Sequence, residues 1–111
     1  MGTNENLKTP PAPKHLSPES RALWRKVVED YQLEEHALRL LRLACESLDE
    51  AEDARLVLKK EGLTVETEHG VKTHPAVAVR RHAKQAYIQH LRALGINEDK
   101  TKRPVGRPME Y

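Results

Sequence analysis

The sequence predicts a mainly α fold: a helical hairpin with a long central helix, then a short β-hairpin and a C-terminal helix, between flexible termini. Three observations lead there. Between Leu33 and Gly62, Leu41, Ala44, Leu48 and Ala51 recur at three- and four-residue steps, while Glu46, Asp49, Glu50 and Asp53 gather on the other side of the wheel. The 111 residues include no Phe and one Trp, so the core must be built from Leu, Val and Ala, which suits packed helices better than a β-sandwich. Helix punctuation falls at Ser17-Pro18-Glu19, Gly62, His74-Pro75 and Gly95.

In chain order, residues 1–15 read as a flexible Pro-rich arm, with Pro10, Pro11 and Pro13 among polar residues. A helical core and oligomerisation domain is expected over residues 16–96. Ser17 can cap the first helix, Pro18 suits its first position and Glu19 complements the positive end of its dipole. Leu23, Trp24, Val27, Val28 and Tyr31 point inward, and Tyr31-Gln32-Leu33 forms a short break before the long helix. That helix, of roughly 28 residues, would be about 42 Å long. Gly62 ends it as a left-handed residue would.

The stretch Leu63-Thr64-Val65-Glu66-Thr67, rich in β-branched residues, a turn at Glu68-His69-Gly70 and a return through Val71-Lys72-Thr73 predict a hairpin. Two strands alone are marginal in water, so the hairpin should rest on the helices or on a hairpin of another copy. The last helix begins at Pro75 and buries Ala76, Val79, Ala83, Ala86, Tyr87, Leu91 and Leu94. Residues 97–111 read as a basic disordered tail.

Around Leu38–Cys45 and Leu56–Leu58 the apolar residues of the long helix run nearly all the way round. A chain of this size has few elements to cover both ends, which makes Leu38, Leu43, Leu56 and Val57 candidates for an interface with identical copies. The competing reading is that the first and last helices cover them within one monomer.

The net charge of +2 says little, but its distribution is informative. Pro75 to Leu94 contains no acidic residue but carries Arg80, Arg81, Lys84 and Arg92. Arg81, Gln85 and Arg92 project away from the apolar stripe, and Arg81, Lys84 and Arg92 are candidate DNA contacts, with a solvated basic face as the equal alternative. Arg80 lies nearer the stripe and is expected to pair with an acid of the long helix. In the tail, Lys100, Lys102, Arg103 and Arg107 favour phosphate contact. Lys102 to Pro108 resembles an AT-hook, in which Gly-Arg-Pro lies in a narrow minor groove. A standard hook has arginine where this chain has Val105. A solvated basic tail is the equal alternative.

Nothing points to an enzyme, a metal centre or a cofactor. Five acids, Glu46, Asp49, Glu50, Glu52 and Asp53, lie within two turns of one helix, whereas metal-dependent phosphoryl chemistry needs carboxylates converging from several elements. They read as a solvated face or a surface pairing with a neighbour's arginines. The six histidines follow no metal-ligand spacing, no phosphate-binding glycine loop is present, and Cys45 reads as packed. One cysteine and the lack of a long apolar run suggest a soluble protein of a reducing cytoplasm.

The ordered set His15-Leu16-Ser17-Pro18-Glu19 with Leu23-Trp24, Tyr31-Gln32-Leu33, Ala44 to Asp49, Glu61 to Val65, His74-Pro75 and Leu91 to Gly95 resembles the compact helical branch of tailed-phage terminase small subunits. The resemblance implies a non-enzymatic protein of the host bacterial cytoplasm that forms a homo-oligomeric ring. It further implies binding of double-stranded phage DNA at the packaging start and delivery to the large terminase subunit, the ATPase and nuclease. Many relatives carry a basic Gly-Arg-Pro element near the N-terminus, whereas here it lies at Gly106 to Pro108. Two other readings stand beside it. One is a small helix-turn-helix DNA-binding transcriptional regulator using Arg39 and Arg42, and the other is an adaptor whose acidic helix docks a basic partner.

Overall fold

A computed structural model describes residues 9–96. Three helices and one two-stranded sheet follow in the order α1 (Pro18–Asp30), α2 (Glu35–Glu61), β1 (Thr64–Thr67), β2 (Gly70–Thr73) and α3 (Pro75–Leu94).

The local chemistry at each boundary explains the elements. Ser17 is extended (φ −64°, ψ 162°) and its hydroxyl accepts from the Ser20 N–H at 3.1 Å, so α1 starts at Pro18 as the sequence predicts. At Tyr31 the backbone turns extended, closing α1. α2 begins at Glu35 rather than at Leu33, since Glu34 and the residues before it are outside helical geometry and Glu34 makes no side-chain cap. Its 27 residues span about 40 Å.

α2 is buried along Leu41, Ala44, Cys45, Ser47, Ala51, Ala54 and Leu58. It pairs most extensively with α3, and the pair is antiparallel: Glu61 meets His74 at one end, while Leu41 and Ala44 share a core with Leu91 and Leu94 at the other. Ala51 and Ala54 of α2 and Ala83 of α3 are small enough to let the helices approach closely. α1 covers only the end of the pair holding Leu91 and Leu94, adding Trp24, Val27 and Val28. There Ser20 and Cys45 are both inaccessible, and the Cys45 thiol donates to the Ser20 carbonyl at 3.5 Å. Burial, then the nearby Asp49 and Glu46 charges, push that thiol up to about 12, so Cys45 is a packing residue.

Three expectations need adjusting. Gly62 has the positive φ expected (88°), but its ψ of 172° is not left-handed helical; it sends the chain straight from α2 towards β1. Gly95, at φ 82° and ψ 14°, is the left-handed cap. Val79, assigned to the buried stripe of α3, is 51% exposed, because it lies beyond the α2 contact on a side where no third element packs. Of the Pro-rich segment, residues 1–8 lie outside the described residues, and from Pro10 onward the chain is held to α1: the Trp24 indole N–H donates to the Pro10 carbonyl at 3.0 Å and Arg21 to the Lys14 carbonyl at 3.1 Å.

The hairpin pairs Thr64 with Thr73 and Thr67 with Gly70, and only Val65 is partly covered. It is anchored at its base. The His74 N–H donates to the Leu63 carbonyl at 2.7 Å, and the His74 Nδ1 accepts from the Ala76 N–H at 3.0 Å, capping α3. With Nδ1 accepting, the ring proton sits on Nε2 and is donated to Glu61 at 2.8 Å.

Gly62→Ala is expected to lower stability by about 1–3 kcal/mol through backbone strain alone, since a Cβ there meets no atom within 4 Å. Thermal melting would show a lower midpoint with unchanged helical circular dichroism; an unshifted midpoint would refute the backbone argument.

Candidate nucleic-acid interface

α3 carries the cationic surface. Arg81, Lys84, Ile88 and Arg92 follow one another at three-, four- and four-residue steps, which sets them on one stripe about 16 Å long. All four are exposed, and among the described residues none of the three cations forms an ion pair. The absence of acids from Pro75 to Leu94 leaves their charge uncompensated within the helix. Such a stripe can meet phosphates without first breaking internal bonds.

Arg80 is half-buried and turned towards α2. The Glu52 carboxyl is held below its ordinary value first by its hydrogen bond from Arg55, at 2.7 Å, against a desolvation that acts the other way, and then by the charges of Arg55 and Arg80. Arg80 thus acts on Glu52 only through its charge and forms no ion pair among the described residues; the direct partner of Glu52 is Arg55.

The acidic side of α2 is less solvated than the sequence suggests. Asp49 takes three hydrogen bonds from the start of α1: from the Ser17 N–H at 2.9 Å, the Ser17 hydroxyl at 2.6 Å and the Ser20 hydroxyl at 2.6 Å. Burial opposes its ionisation, but these bonds, with the nearby His15, outweigh burial and hold the carboxyl below the usual Asp range. Glu46 follows the same pattern: burial raises it, and bonds from His15 at 2.7 Å and Arg42 at 3.1 Å bring it below its ordinary value. Glu50 and Asp53 remain exposed. Among the described residues, no three or more His, Cys, Asp or Glu side chains are grouped to hold a metal ion.

Arg39 and Arg42, the groove-facing residues of the helix-turn-helix reading, are engaged in pairs with Glu35 and Glu46 on their own helix. Of the four residues predicted to face another copy, Leu38 packs against the chain's own core, while Leu43, Leu56 and Val57 are 38%, 48% and 37% exposed. Lys100, Lys102, Arg103 and Arg107, and with them the Gly-Arg-Pro element, lie outside the described residues. No described helix is long and apolar enough to cross a membrane.

The fold and this surface define a small helical scaffold that presents, on α3, cations without ion pairs among the described residues. A family model described as "Phage terminase, small subunit" matches residues 18–108. The chain belongs to the phage terminase small-subunit family, which ties it to viral genome packaging. No curated protein and no solved structure matches it.

Asp49→Ala should destabilise the fold by about 1–3 kcal/mol, because it strands the donors at the start of α1. The folded carboxyl titrates below its ordinary value of 3.8, so its contribution is complete above that pH and is lost as pH falls through the lowered folded value. Urea unfolding at stepped pH should therefore show a constant gap between wild type and variant near neutrality that closes in acid. A gap that widens in acid would contradict this.

Proposed function

We propose that this chain is the DNA-recognition component of a phage packaging machine, acting as an architectural and not a catalytic subunit. In this reading it assembles into a homo-oligomeric ring, binds double-stranded phage DNA at the packaging initiation site and delivers it to the large terminase subunit, in the host bacterial cytoplasm. Membership of the small-subunit family supports the packaging role. The observation that carries DNA contact is the stripe of Arg81, Lys84 and Arg92, exposed and without ion pairs among the described residues, on a helix that has no acid. The tail cations Lys100, Lys102, Arg103 and Arg107 extend the same charge.

Self-assembly is supported by Leu43, Leu56 and Val57, large aliphatic side chains left in water on the longest element. Leu38 contributes indirectly, by fixing the start of α2 against the core. A ring repeats each cationic stripe around one axis, so contacts that are weak singly sum to a useful affinity.

Binding to duplex DNA should be strongly salt-dependent. Replacing Arg81, Lys84 and Arg92 together by Ala should reduce the slope of log K against log salt by about 0.9 for each phosphate no longer neutralised. Fluorescence anisotropy across a salt series reads this directly, and an unchanged slope would remove α3 from the interface. For assembly, native mass spectrometry of the wild type should show a closed oligomer, with Leu43→Glu and Val57→Glu shifting it to smaller species. A wild-type monomer at micromolar concentration would end the ring reading.

A further inference from the structure

The start of α3, the end of α2 and the base of the hairpin enclose a groove of about 380 Å³. Its floor is aliphatic, formed by Leu58, Leu63, Val77 and Ile88, and its rim is cationic, formed by Arg81 and Lys84 with Arg80. Leu63 is 64% exposed and Ile88 48% exposed. We propose that this groove is a docking site for an acidic amphipathic helix of a partner protein.

Three features select that occupant. The floor carries two large aliphatic side chains that stand in water, and a phosphate backbone would leave them there, whereas apolar side chains of a protein segment would cover them. The rim supplies Arg81 and Lys84, which form no ion pair among the described residues, so the complementary segment is anionic along its edges. The groove follows α3 from Val77 to Ile88, about 16 Å, which matches three turns of helix presenting apolar residues at i, i+4 and i+7. It is open along one side and so fits a rod better than an enclosed small molecule.

Arg81 and Lys84 also belong to the proposed DNA stripe, whereas Arg92 does not line the groove. An acidic helix seated here occupies part of the DNA surface, so the two ligands compete. A partner that inserts such a helix would loosen the chain's hold on DNA at the moment of docking.

The test uses the full chain and a fluorescein-labelled synthetic helix of about 14 residues with Leu at i, i+4 and i+7 and Glu along its flanks. The acidic peptide should bind with saturation, and its counterpart with Lys in place of Glu should not. The double variant Leu63→Ser/Ile88→Gln alters only exposed side chains. It should weaken peptide binding about tenfold or more while leaving the wild-type melting midpoint in place. Arg92→Gln should do the reverse, weakening DNA binding and sparing the peptide, and duplex DNA should displace the peptide from the wild type. Equal peptide binding by wild type and groove variant, or none by either, overturns the proposal. So does a smaller oligomer for the groove variant, which would make a second copy the occupant. Absence of DNA binding alone leaves the proposal standing and refutes the DNA reading instead.

Discussion

Asp49 sits where the start of α1 meets the middle of α2, and its two oxygens take three polar groups that α1 offers there: the Ser17 N–H, the Ser17 hydroxyl and the Ser20 hydroxyl. The first helix is amphipathic but short, and its apolar side would slide along a groove of Leu and Ala with little preference for register. A carboxylate that must stay ionised and hydrogen-bonded while partly buried has no such freedom. It also lies at the positive end of the α1 dipole, where a negative charge is favoured. One turn further into α1, the reciprocal contact of Ser20 and Cys45 brings the two backbones together, because both side chains are small. Position and separation of α1 are thus set by adjacent interactions.

The consequence is uneven covering. α1 is fixed over the end of the α2–α3 pair that contains Leu41, Ala44, Leu91 and Leu94, and it stops at the level of Asp49. Beyond it the same two helices run on towards the hairpin with no third layer. Apolar side chains there, Leu63 and Ile88, stay accessible beside the cations of α3. Elsewhere on the pair, Leu43, Leu56, Val57 and Val79 stay accessible too. Adding one helix at one end of a long pair therefore makes a protein that is well packed at that end and surface-rich at the other.

That division suits the architectural role proposed for this family member. The buried polar groups of the packed end are consumed in holding α1, so Asp49 and Glu46, two of the acids that first invite a catalytic reading, are structural. The free charges of α3 follow from its lack of acids, which leaves Arg81, Lys84 and Arg92 without ion pairs among the described residues.

The helices, the Ser17 cap, the Gly95 stop, the hairpin and its turn were legible in the sequence, because each depends on residues a few positions apart: Ser17 on Ser20, Gly95 on Arg92, Thr67 on Gly70. The cationic stripe was legible for the same reason, being a matter of helical period within one element. What periodicity does not carry is which side of a helix finds a neighbour. Val79 matches the apolar stripe as well as Ala83 does, and only the placement of α2 leaves one exposed and the other buried. Neither Ile88 nor Leu63 is unusual locally, and their groove exists only once α2, the hairpin and α3 converge. Asp49 looked like one acid among five, and its partners, 29 and 32 residues away in the chain, could be found only after the helices were packed. Local sequence thus determined the elements and their charge, since those interactions close within a turn or two. Tertiary packing alone decided which charges were spent and which apolar faces remained open, since burial is a property of pairs of elements and no single element contains it.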